Sequence, residues 1–307
     1  MREYDDITLK RLQSIELMIA NDLKRICKEN DIQYFGFAGT GIGVLRHQGF
    51  IPWDDDIDLG FLRDDYEKFI RIAKEELKDK YTVMNCETDP NYPLMTTRLM
   101  LKGTKFREEA LKDLKCELGI FLDLYAFDQV SDNEEEFKKQ CRDAWLYSHL
   151  MILRSIPFPV LPVKGIKGKI AHGATAVVYG GLSLLHVSKT WLAKKAKEAA
   201  TRYNGGKKTK SVNFFFDTLP DMCVYHYDEL FPLVELPFEN TTFTFPKEQD
   251  RYLRTFYRGD YMQLPPEDKR KNHFPYELDF GIYKDVPLDV LRDPDFYLDP
   301  KEIQQNK

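Results

Sequence analysis

The sequence predicts an α/β (α+β) protein, because segments with helical periodicity alternate with short apolar runs that are typical of strands. Apolar residues recur at helical spacing in residues 8–28 and 65–80. Runs that indicate strands lie at 33–38, 81–86, 95–101 and 119–127. A further region, 150–210, is strongly basic. We therefore expect a sheet flanked by helices, with a basic helical lobe inserted into the chain.

The first predicted helix, 8–28, carries a continuous apolar face that includes Leu12, Ile15, Ile19 and Leu23. Such a face is explained by packing against the sheet. We interpret this helix as structural, and the same interpretation applies to 65–80.

Small residues follow the first predicted strand. Residues 33–38 end in Gly39-Thr40-Gly41, and helical character resumes at Ile42. A turn of this kind before a helix presents free backbone N–H groups that bind phosphate. Glycine allows the close approach, and Thr40 adds a hydroxyl donor. A Gly-Thr-Gly turn that merely connects two elements is the alternative.

The segment 51–60 places four carboxylates between an apolar lead-in and an apolar exit. Asp56 and Asp58 lie two residues apart, so on an extended strand both point to one face, with Asp54 sharing their parity and Asp55 facing away. Carboxylates side by side repel each other, and a divalent cation relieves that repulsion. Oxygen ligands favour Mg²⁺ or Mn²⁺. The alternative is a solvated acidic turn.

A third candidate carboxylate, Asp123, interrupts the apolar run 119–127. A charge in a buried strand is costly unless it is paired or bound to metal. Next to the strand of Asp56 and Asp58, it completes a metal site and draws the proton from an attacking hydroxyl. The alternative is an ion pair with Arg98, Lys102 or Arg46.

Cationic residues follow in the predicted strand 95–101 and just after it. Arg98, Lys102 and Lys105 are placed to face a diphosphate. A solvated or ion-paired strand face is equally compatible with this pattern.

The region 151–210 contains twelve Lys or Arg residues against one acid, Glu198, whereas the whole chain has a net charge of −5. Within it, residues 170–188 have no formal charge. Gly180, Gly181, His172 and His186 make this stretch a poor membrane span. We expect either an interfacial helix that docks on anionic lipid or a helical lobe that attracts an anionic acceptor. Nucleic acid is not expected, because aromatic residues do not alternate with the basic ones.

Composition limits the remaining possibilities. With 307 residues, 43% of them hydrophobic, the chain can bury a large core. Five cysteines without a Cys-x-x-Cys pair predict reduced thiols in a cytoplasmic protein. The first residues lack the apolar core of a signal peptide, so no secretion signal is expected. Aromatic residues in the last third could bind a quaternary ammonium group, or simply fill the core.

Several of these segments together resemble the LicD family of phosphocholine transferases. The core is Trp-Asp-Asp-Asp-Ile-Asp at 53–58, and the other matching runs are 37–43, 46–52, 63–66, 123–128 and 257–266, followed by Lys269, Arg270 and His273. Gly41 departs from the family pattern, where a bulkier residue is more common. The stretch 150–210 matches the family poorly.

The resemblance implies a nucleotidyltransferase-like mixed sheet and a metal-dependent enzyme that uses a CDP-activated alcohol such as CDP-choline. It implies a glycan acceptor, either a teichoic-acid or a lipopolysaccharide precursor, and a distant relation to the fukutin-related group, where ribitol phosphate is transferred. It also puts Arg270 and His273 near phosphate. We expect a catalytic core at 1–149, the basic insertion at 150–210, and a C-terminal part at 211–307 that completes the site.

The combined prediction is phosphocholine transfer from CDP-choline with release of CMP. Asp56, Asp58 and Asp123 hold Mg²⁺ or Mn²⁺, and Gly39 and Thr40 bind phosphate. The other residues expected to contact the phosphates are Arg46 (the first choice), Arg98, Arg270 and His273. The expected location is cytoplasmic, with peripheral contact at the inner membrane face through 150–210. Two alternatives are a nucleotidyltransferase that releases pyrophosphate and a non-catalytic glycan- or nucleotide-binding module at the membrane.

Overall fold

The computed structural model describes residues 4–160, 165–257 and 259–296. Arg258, within one of the family-like runs, lies outside the described residues, as do the ends of the expected first and last parts and residues 161–164 of the basic insertion. The elements in chain order are α1 (Asp6–Glu29), β1 (Phe35–Gly36), α2 (Ala38–His47), β2 (Asp58–Leu62), α3 (Arg63–Glu76), β3 (Tyr81–Met84), β4 (Thr97–Leu101), β5 (Lys105–Glu108), β6 (Phe121–Gln129), α4 (Glu134–Ser155), α5 (Gly165–Leu184), α6 (Lys189–Ala200), β7 (Ser211–Asn213), β8 (Tyr225–His226), α7 (Tyr227–Leu230), β9 (Val234–Phe238), β10 (Thr241–Phe245), α8 (Gln249–Phe256), β11 (Pro275–Asp279) and α9 (Leu288–Arg292).

The main sheet is mixed, as predicted. Its strands run in the order β1-β2-β6-β4-β3, with β7 pairing to β6 and β8 pairing to β7. Strands β2 and β6 are parallel, whereas β4 is antiparallel to β6. This register sets Asp58 beside Asp123 on one side and Arg98 beside Asp123 on the other. The sheet therefore lines up one row of charged residues across three strands.

Helix α1 packs its apolar face into the main core. Leu12, Ile15, Ile19 and Leu23 are fully buried, as its periodicity predicts. The helix begins after Asp5, whose side chain accepts a hydrogen bond from the Thr8 N–H at 2.9 Å. An aspartate at this position satisfies an N–H group that the helix itself leaves free.

The C-terminal part closes over the same core. The β9–β10 hairpin contributes Phe238, Phe243 and Phe245 to the cluster that contains the apolar residues of α1. Strand β11 pairs with β5. These contacts join the two ends of the chain in one hydrophobic core.

The basic region forms helices, as predicted, but its two helices differ in their packing. Helix α6 buries Leu192, Ala196 and Ala200, and it packs along α4. In α5, by contrast, Gly168 is the one buried residue. Among the described helices, none taken singly is long and apolar enough to cross a bilayer. Helices α5 and α6 meet that criterion as a pair, but the chain bends by 108° between them.

Candidate active site

The N-terminus of α2 points toward the acidic segment. The structure corrects the local prediction, because the helix begins at Ala38 and Gly39-Thr40-Gly41 form its first turn instead of a separate loop. A Cβ added to Gly39 would lie 3.0 Å from the Asp54 carboxylate and 3.9 Å from that of Asp58. First-turn N–H groups have no partner within the helix and carry partial positive charge. The turn therefore presents donors beside two carboxylates.

Thr40 is buried, and its hydroxyl accepts a hydrogen bond from the Asp58 N–H at 2.8 Å. This contact fixes the start of β2 against the first turn of α2. Accepting this bond uses a lone pair of the Thr40 oxygen, so the single hydroxyl proton is still available for donation. Its role toward phosphate stays a prediction.

Asp58 is buried next to two other carboxylates. Its Oδ1 accepts a hydrogen bond from the Tyr125 hydroxyl at 3.0 Å. Burial, followed by the charges of Asp56 and Asp123, raises the pKa of Asp58 well above its ordinary value. Asp56 lies just before β2 and not on it, yet it interacts electrostatically with both Asp58 and Asp123. The structure thus brings the three predicted acids together.

Asp123 also forms the ion pair that was the alternative interpretation. Arg98 Nε lies 3.2 Å from Asp123 Oδ1, and the two terminal nitrogens of Arg98 contact Glu108 at 3.0 and 2.5 Å. Burial raises the pKa of Asp123 to about 6, while Arg98 acts in the opposite direction. A role of Arg98 toward phosphate stays a prediction, since all three of its nitrogens face carboxylates here. Lys102 lies elsewhere and donates to the Lys78 carbonyl.

A second group of ligand atoms comes from Asp54, Asp55, Asp56 and His273. One atom from each lies within 4.8 Å of the others. His273 Nδ1 is 3.2 Å from Asp56 Oδ2 and 3.5 Å from Asp55 Oδ1. The Asp56 charge raises the pKa of His273 well above its ordinary value, against the effect of burial. The direction of this shift favours the protonated imidazole, whose charge would partly offset the acidic segment.

Residues 54–57 precede β2, so the parity expected of a strand does not apply to them, and Asp55 shares the group of ligand atoms with Asp54 and Asp56. It is fully buried, and its two oxygens accept hydrogen bonds from the Tyr4 hydroxyl at 2.6 Å and the His273 N–H at 2.7 Å. The contact to His273 ties the C-terminal part of the chain to the acidic loop. Asp55 thus connects the acidic loop to Tyr4 and to the C-terminal part of the chain.

Two guanidinium groups flank Trp53. The Arg270 guanidinium lies 4.5 Å from the centre of the indole, and that of Arg46 lies 5.8 Å from it. Arg46 also donates to His47 Nε2 and to the Tyr261 carbonyl. Arg270 Nε is buried without a hydrogen-bond partner. Both cations therefore lie next to Trp53, the residue that precedes Asp54. Their contact with phosphate stays a prediction.

Glu16 of α1 is a site-facing acid that the sequence interpretation missed. It is 1% exposed, and its Oε2 has no hydrogen-bond partner. Burial, and then the charges of Asp56 and Asp55, raise its pKa well above the ordinary value. The neighbouring Gln13 donates to the Asp54 carbonyl at 2.9 Å. The available signal was the position of Glu16 between Leu12 and Ile19 on the buried face of the helix.

The donor set fits a divalent cation. Burial and mutual repulsion raise the pKa values of Asp54, Asp56 and Asp58. Such a set of oxygen atoms is destabilised when ionised, and Mg²⁺ or Mn²⁺ would relieve the repulsion. Chemically, the site combines carboxylates, a helix N-terminus and nearby cations. This combination suits reactions of phosphate esters.

Comparison with known proteins agrees with this chemistry. Residues 31–161 match the family model described as LicD/FKTN/FKRP, nucleotidyltransferase domain. Over 283 residues, 87% of this chain and 96% of the relative, the sequence is 25% identical to lipopolysaccharide cholinephosphotransferase LicD of Haemophilus influenzae. Shorter matches are to uncharacterized proteins of Rickettsia typhi (40% identical over 75 residues, 24% of each chain) and Rickettsia prowazekii (36% over 83 residues, 27% of this chain and 30% of the relative).

Proposed function

The chain carries a LicD-family domain, as its motifs predict, and on this premise we propose that it transfers a phosphoalcohol group in a metal-dependent reaction. The donor we propose is CDP-choline, which releases CMP. The acceptor is a cell-surface glycan precursor of the lipopolysaccharide or teichoic-acid type. The name of the Haemophilus relative, which aligns with 87% of this chain, supports phosphocholine as the transferred group.

The observation that carries the proposal is the carboxylate cluster at the N-terminus of α2. A Cβ at Gly39 would lie 3.0 Å from Asp54, and Asp58 pairs in register with Asp123. In the proposal, Asp56, Asp58 and Asp123 hold Mg²⁺ or Mn²⁺, with Asp54 within reach of the same space. The ion would supply charge neutralisation at the diphosphate.

The protein's own groups would position the donor. The first-turn N–H groups of α2, at Gly39 and Thr40, would donate to phosphate oxygens. Arg46, Arg270 and the protonated His273 would offset the remaining negative charge. Positioning and charge neutralisation of this kind contribute much of the catalysis in reactions at phosphorus.

Asp123 would accept the proton of the acceptor hydroxyl. In the metal-free chain burial raises its pKa to about 6, so this carboxylate is a better proton acceptor than an ordinary aspartate. The Arg98 contact at 3.2 Å orients the carboxylate. In this proposal Arg98 acts through Asp123 and Glu108.

Two assays test the reaction class. With CDP-choline, Mg²⁺ and a lipid-linked glycan acceptor, the proposal expects CMP and a phosphocholine-modified product. With CTP and phosphocholine it expects no pyrophosphate, since pyrophosphate release would instead identify a nucleotidyltransferase. Asp58→Asn should abolish transfer, whereas Asp285→Asn, a change at an exposed acid away from the site, should not. Unchanged transfer by Asp58→Asn would reject the metal mechanism.

Donor choice is tested by thermal unfolding with CDP-choline, CDP-ethanolamine, CDP-glycerol and CDP-ribitol, each with and without Mg²⁺. A ligand at a hundred times its Kd stabilises the folded chain by about 2.7 kcal/mol. We expect the largest shift with CDP-choline and Mg²⁺ together. An equal shift with all four donors would remove choline from the proposal and leave the phosphate chemistry.

A cytoplasmic location is part of the proposal. All five cysteines are free thiols in the structure, which supports a reducing compartment. Peripheral contact with the inner membrane face also remains a proposal. Fractionation of cells that express the tagged chain would test both.

A further inference from the structure

Helix α5 exposes an apolar stripe along its whole length. Ile166, Ile170, Val177 and Leu184 are spaced by four, seven and seven residues, so they lie on one side of the helix. Their exposed fractions are 78%, 68%, 74% and 78%. We call these four residues the α5 stripe. An apolar surface of this extent on a soluble chain marks an interaction site.

The surroundings of α5 leave this stripe uncovered by the described residues. Helix α5 contacts α4 on its other side. The neighbouring helix α6 buries apolar residues in two hydrophobic clusters. No residue of α5 belongs to either cluster. Phe158 and Val160, which precede α5, are also exposed, at 64% and 72%, and Leu185 after it is exposed at 76%. Exposed apolar residues therefore also occur before and after α5 in the chain.

Positive charge borders the stripe at its start. Lys167 and Lys169 lie in the first two turns of α5 and are exposed, and residues 170–188 carry no formal charge. Acidic residues are absent from α5. The pattern is an uncharged helix surface with cations at its border.

A cavity of about 530 Å³ lies on the opposite side of α5 from the stripe, next to the end of α4. It is lined by Lys115, Arg154 and Lys189 together with Tyr179 of α5. Its walls also hold Lys112, Glu109 and Asp113, and Lys112 pairs with Glu109 at 2.6 Å.

Arg154 donates through Nε to the Val187 carbonyl at 3.1 Å. Burial, and then the charge of Arg154, lower the pKa of Lys189, whereas the charge of Asp89 acts to raise it. These cations lie on the α4 side of the helix and do not border the α5 stripe.

We propose that the α5 stripe docks on the surface of an anionic lipid bilayer. The helix lies in the plane of the membrane with Ile166, Ile170, Val177 and Leu184 in the headgroup and acyl boundary. Lys167 and Lys169 contact lipid phosphates. An uncharged face with cationic borders is the pattern that binds such surfaces, through buried apolar area and attraction to anionic lipid. Docking is independent of the proposed transfer reaction.

The experiment is co-sedimentation of the full chain with vesicles of phosphatidylcholine alone or mixed with phosphatidylglycerol. We expect binding to the anionic vesicles, weaker at high salt because salt screens the lysines. Inorganic phosphate at matched ionic strength should not compete better than chloride, because the apolar stripe needs a membrane. Binding equal on both vesicle types, or absent from both, would overturn the proposal.

Matched variants separate docking from misfolding. Ile170→Asp with Val177→Asp should weaken vesicle binding at least about tenfold, since each charge must enter the apolar boundary. Leu219→Asp, a change at another exposed leucine, should bind like the parent chain. All variants should keep the parent's Tm and Mg²⁺ response. Normal vesicle binding by the stripe variant would reject the lipid assignment. It would also be rejected if the parent chain did not bind vesicles and the variant converted a dimer to a monomer.

Discussion

The carboxylate of Asp58 is held in a place that is unfavourable for a charge unless a cation is present. It is buried and in register with Asp123, and one hydrogen bond from Tyr125 reaches it. Removing such a charge would stabilise the fold, so a protein that keeps the charge does so because its chemistry requires it. Stability and metal response should therefore change in opposite directions when this charge is removed.

Asp58→Asn is predicted to raise the Tm of the metal-free chain by about 2 °C, the shift that about 1 kcal/mol produces in a chain of this size. The amide keeps an acceptor for the Tyr125 hydroxyl and removes the repulsion from Asp56 and Asp123. The stabilisation by Mg²⁺ should disappear, and activity should fall about 100-fold or more. Thermal unfolding with and without Mg²⁺ measures the first two effects. A lower Tm without metal would contradict the repulsion argument.

The pH dependence of stability follows from Asp123 and His273. The pKa of Asp123 rises from its unfolded value, about 3.9, to about 6 in the folded chain. The folded chain therefore binds more protons between these values, and the free energy of unfolding falls as pH rises through them. The raised pKa of His273 adds stability that is complete below about 6.5 and is lost above its folded pKa. Both effects decrease stability toward higher pH.

We therefore predict that the Tm of the metal-free chain falls from about pH 4 to about pH 6, between the unfolded and folded pKa values of Asp123, and falls further above about pH 6.5, where His273 begins to contribute. Mg²⁺ should flatten the decline, because the ion replaces the protons. Asp58→Asn should also flatten it. Unfolding curves at several pH values with a chelator, then with Mg²⁺, provide the measurement. A Tm that rises over this interval without metal would refute the prediction.

The sequence predicted the site residues on the paired strands β2 and β6 better than the site residues that come from distant segments. Asp58 and Asp123 each stand in a short apolar run, and parallel pairing of those runs places them side by side. Glu16 escaped notice because a lone acid on an amphipathic helix has many explanations. Its burial depends on tertiary packing of α1 behind the acidic loop, which periodicity does not specify.

At the scale of elements, α2 depends on two glycines for different reasons. A Cβ at Gly41 would lie 2.0 Å from Gln249 Nε2 of α8, and one at Gly43 would lie 2.3 Å from the Gly49 carbonyl oxygen. The first obstacle is a side chain, and the second is backbone. This close packing of α8 also gives a physical reason for a glycine at 41, where the family pattern more often has a bulkier residue.

Gly41→Ala is predicted to destabilise the chain by about 1–3 kcal/mol, the usual range for overpacking. Gln249→Ala should restore most of that loss, because both amide atoms of Gln249 lack hydrogen-bond partners and its removal opens space. Gly43→Ala should be destabilising with or without Gln249→Ala. A double-mutant cycle in urea measures the coupling. Equal effects of Gly41→Ala in both backgrounds would show that α8 does not set this contact.

Helices and long strands were predictable because their periodicity is local. The structure confirms helices near 8–28 and 65–80, and strands near 81–86, 95–101 and 119–127. The start of α2 was missed because Gly39-Thr40-Gly41 have low helix propensity, and the helix there is supported by contacts such as Thr40 with Asp58. Strand β11 pairs with β5 across a long sequence separation, which no local pattern specifies.

At the scale of the whole molecule, the ends of the chain are held together. Arg11 donates to the Tyr283 and Val286 carbonyls at 2.9 and 2.7 Å, and Arg292 donates to the Ser14 hydroxyl at 2.9 Å. The expected boundaries at 149 and 210 stay predictions. The contacts indicate that the first and last parts share one core and are not separate folding units.

A chain of residues 1–149 is therefore predicted not to fold on its own. It would lack Phe238, Phe243 and Phe245, which cover α1 in the main core. Circular dichroism and urea unfolding should show no cooperative transition, and co-expression with 211–307 should restore one. Cooperative unfolding of 1–149 alone would establish an independent N-terminal domain.

Part of the basic lobe should be removable without unfolding the rest, because the chain enters and leaves that part at neighbouring points. Arg154 Nε donates to the Val187 carbonyl at 3.1 Å, so a short Gly-Ser linker can replace residues 157–186. The buried residues beneath, Met151 and Leu192, pack with each other and not with α5. We predict that this deletion keeps cooperative unfolding and the Mg²⁺ response, because insertions joined at neighbouring points tolerate removal. Binding to anionic vesicles should be lost. Loss of the Mg²⁺ response in a chain that still folds would instead show that α5 contributes to the site itself.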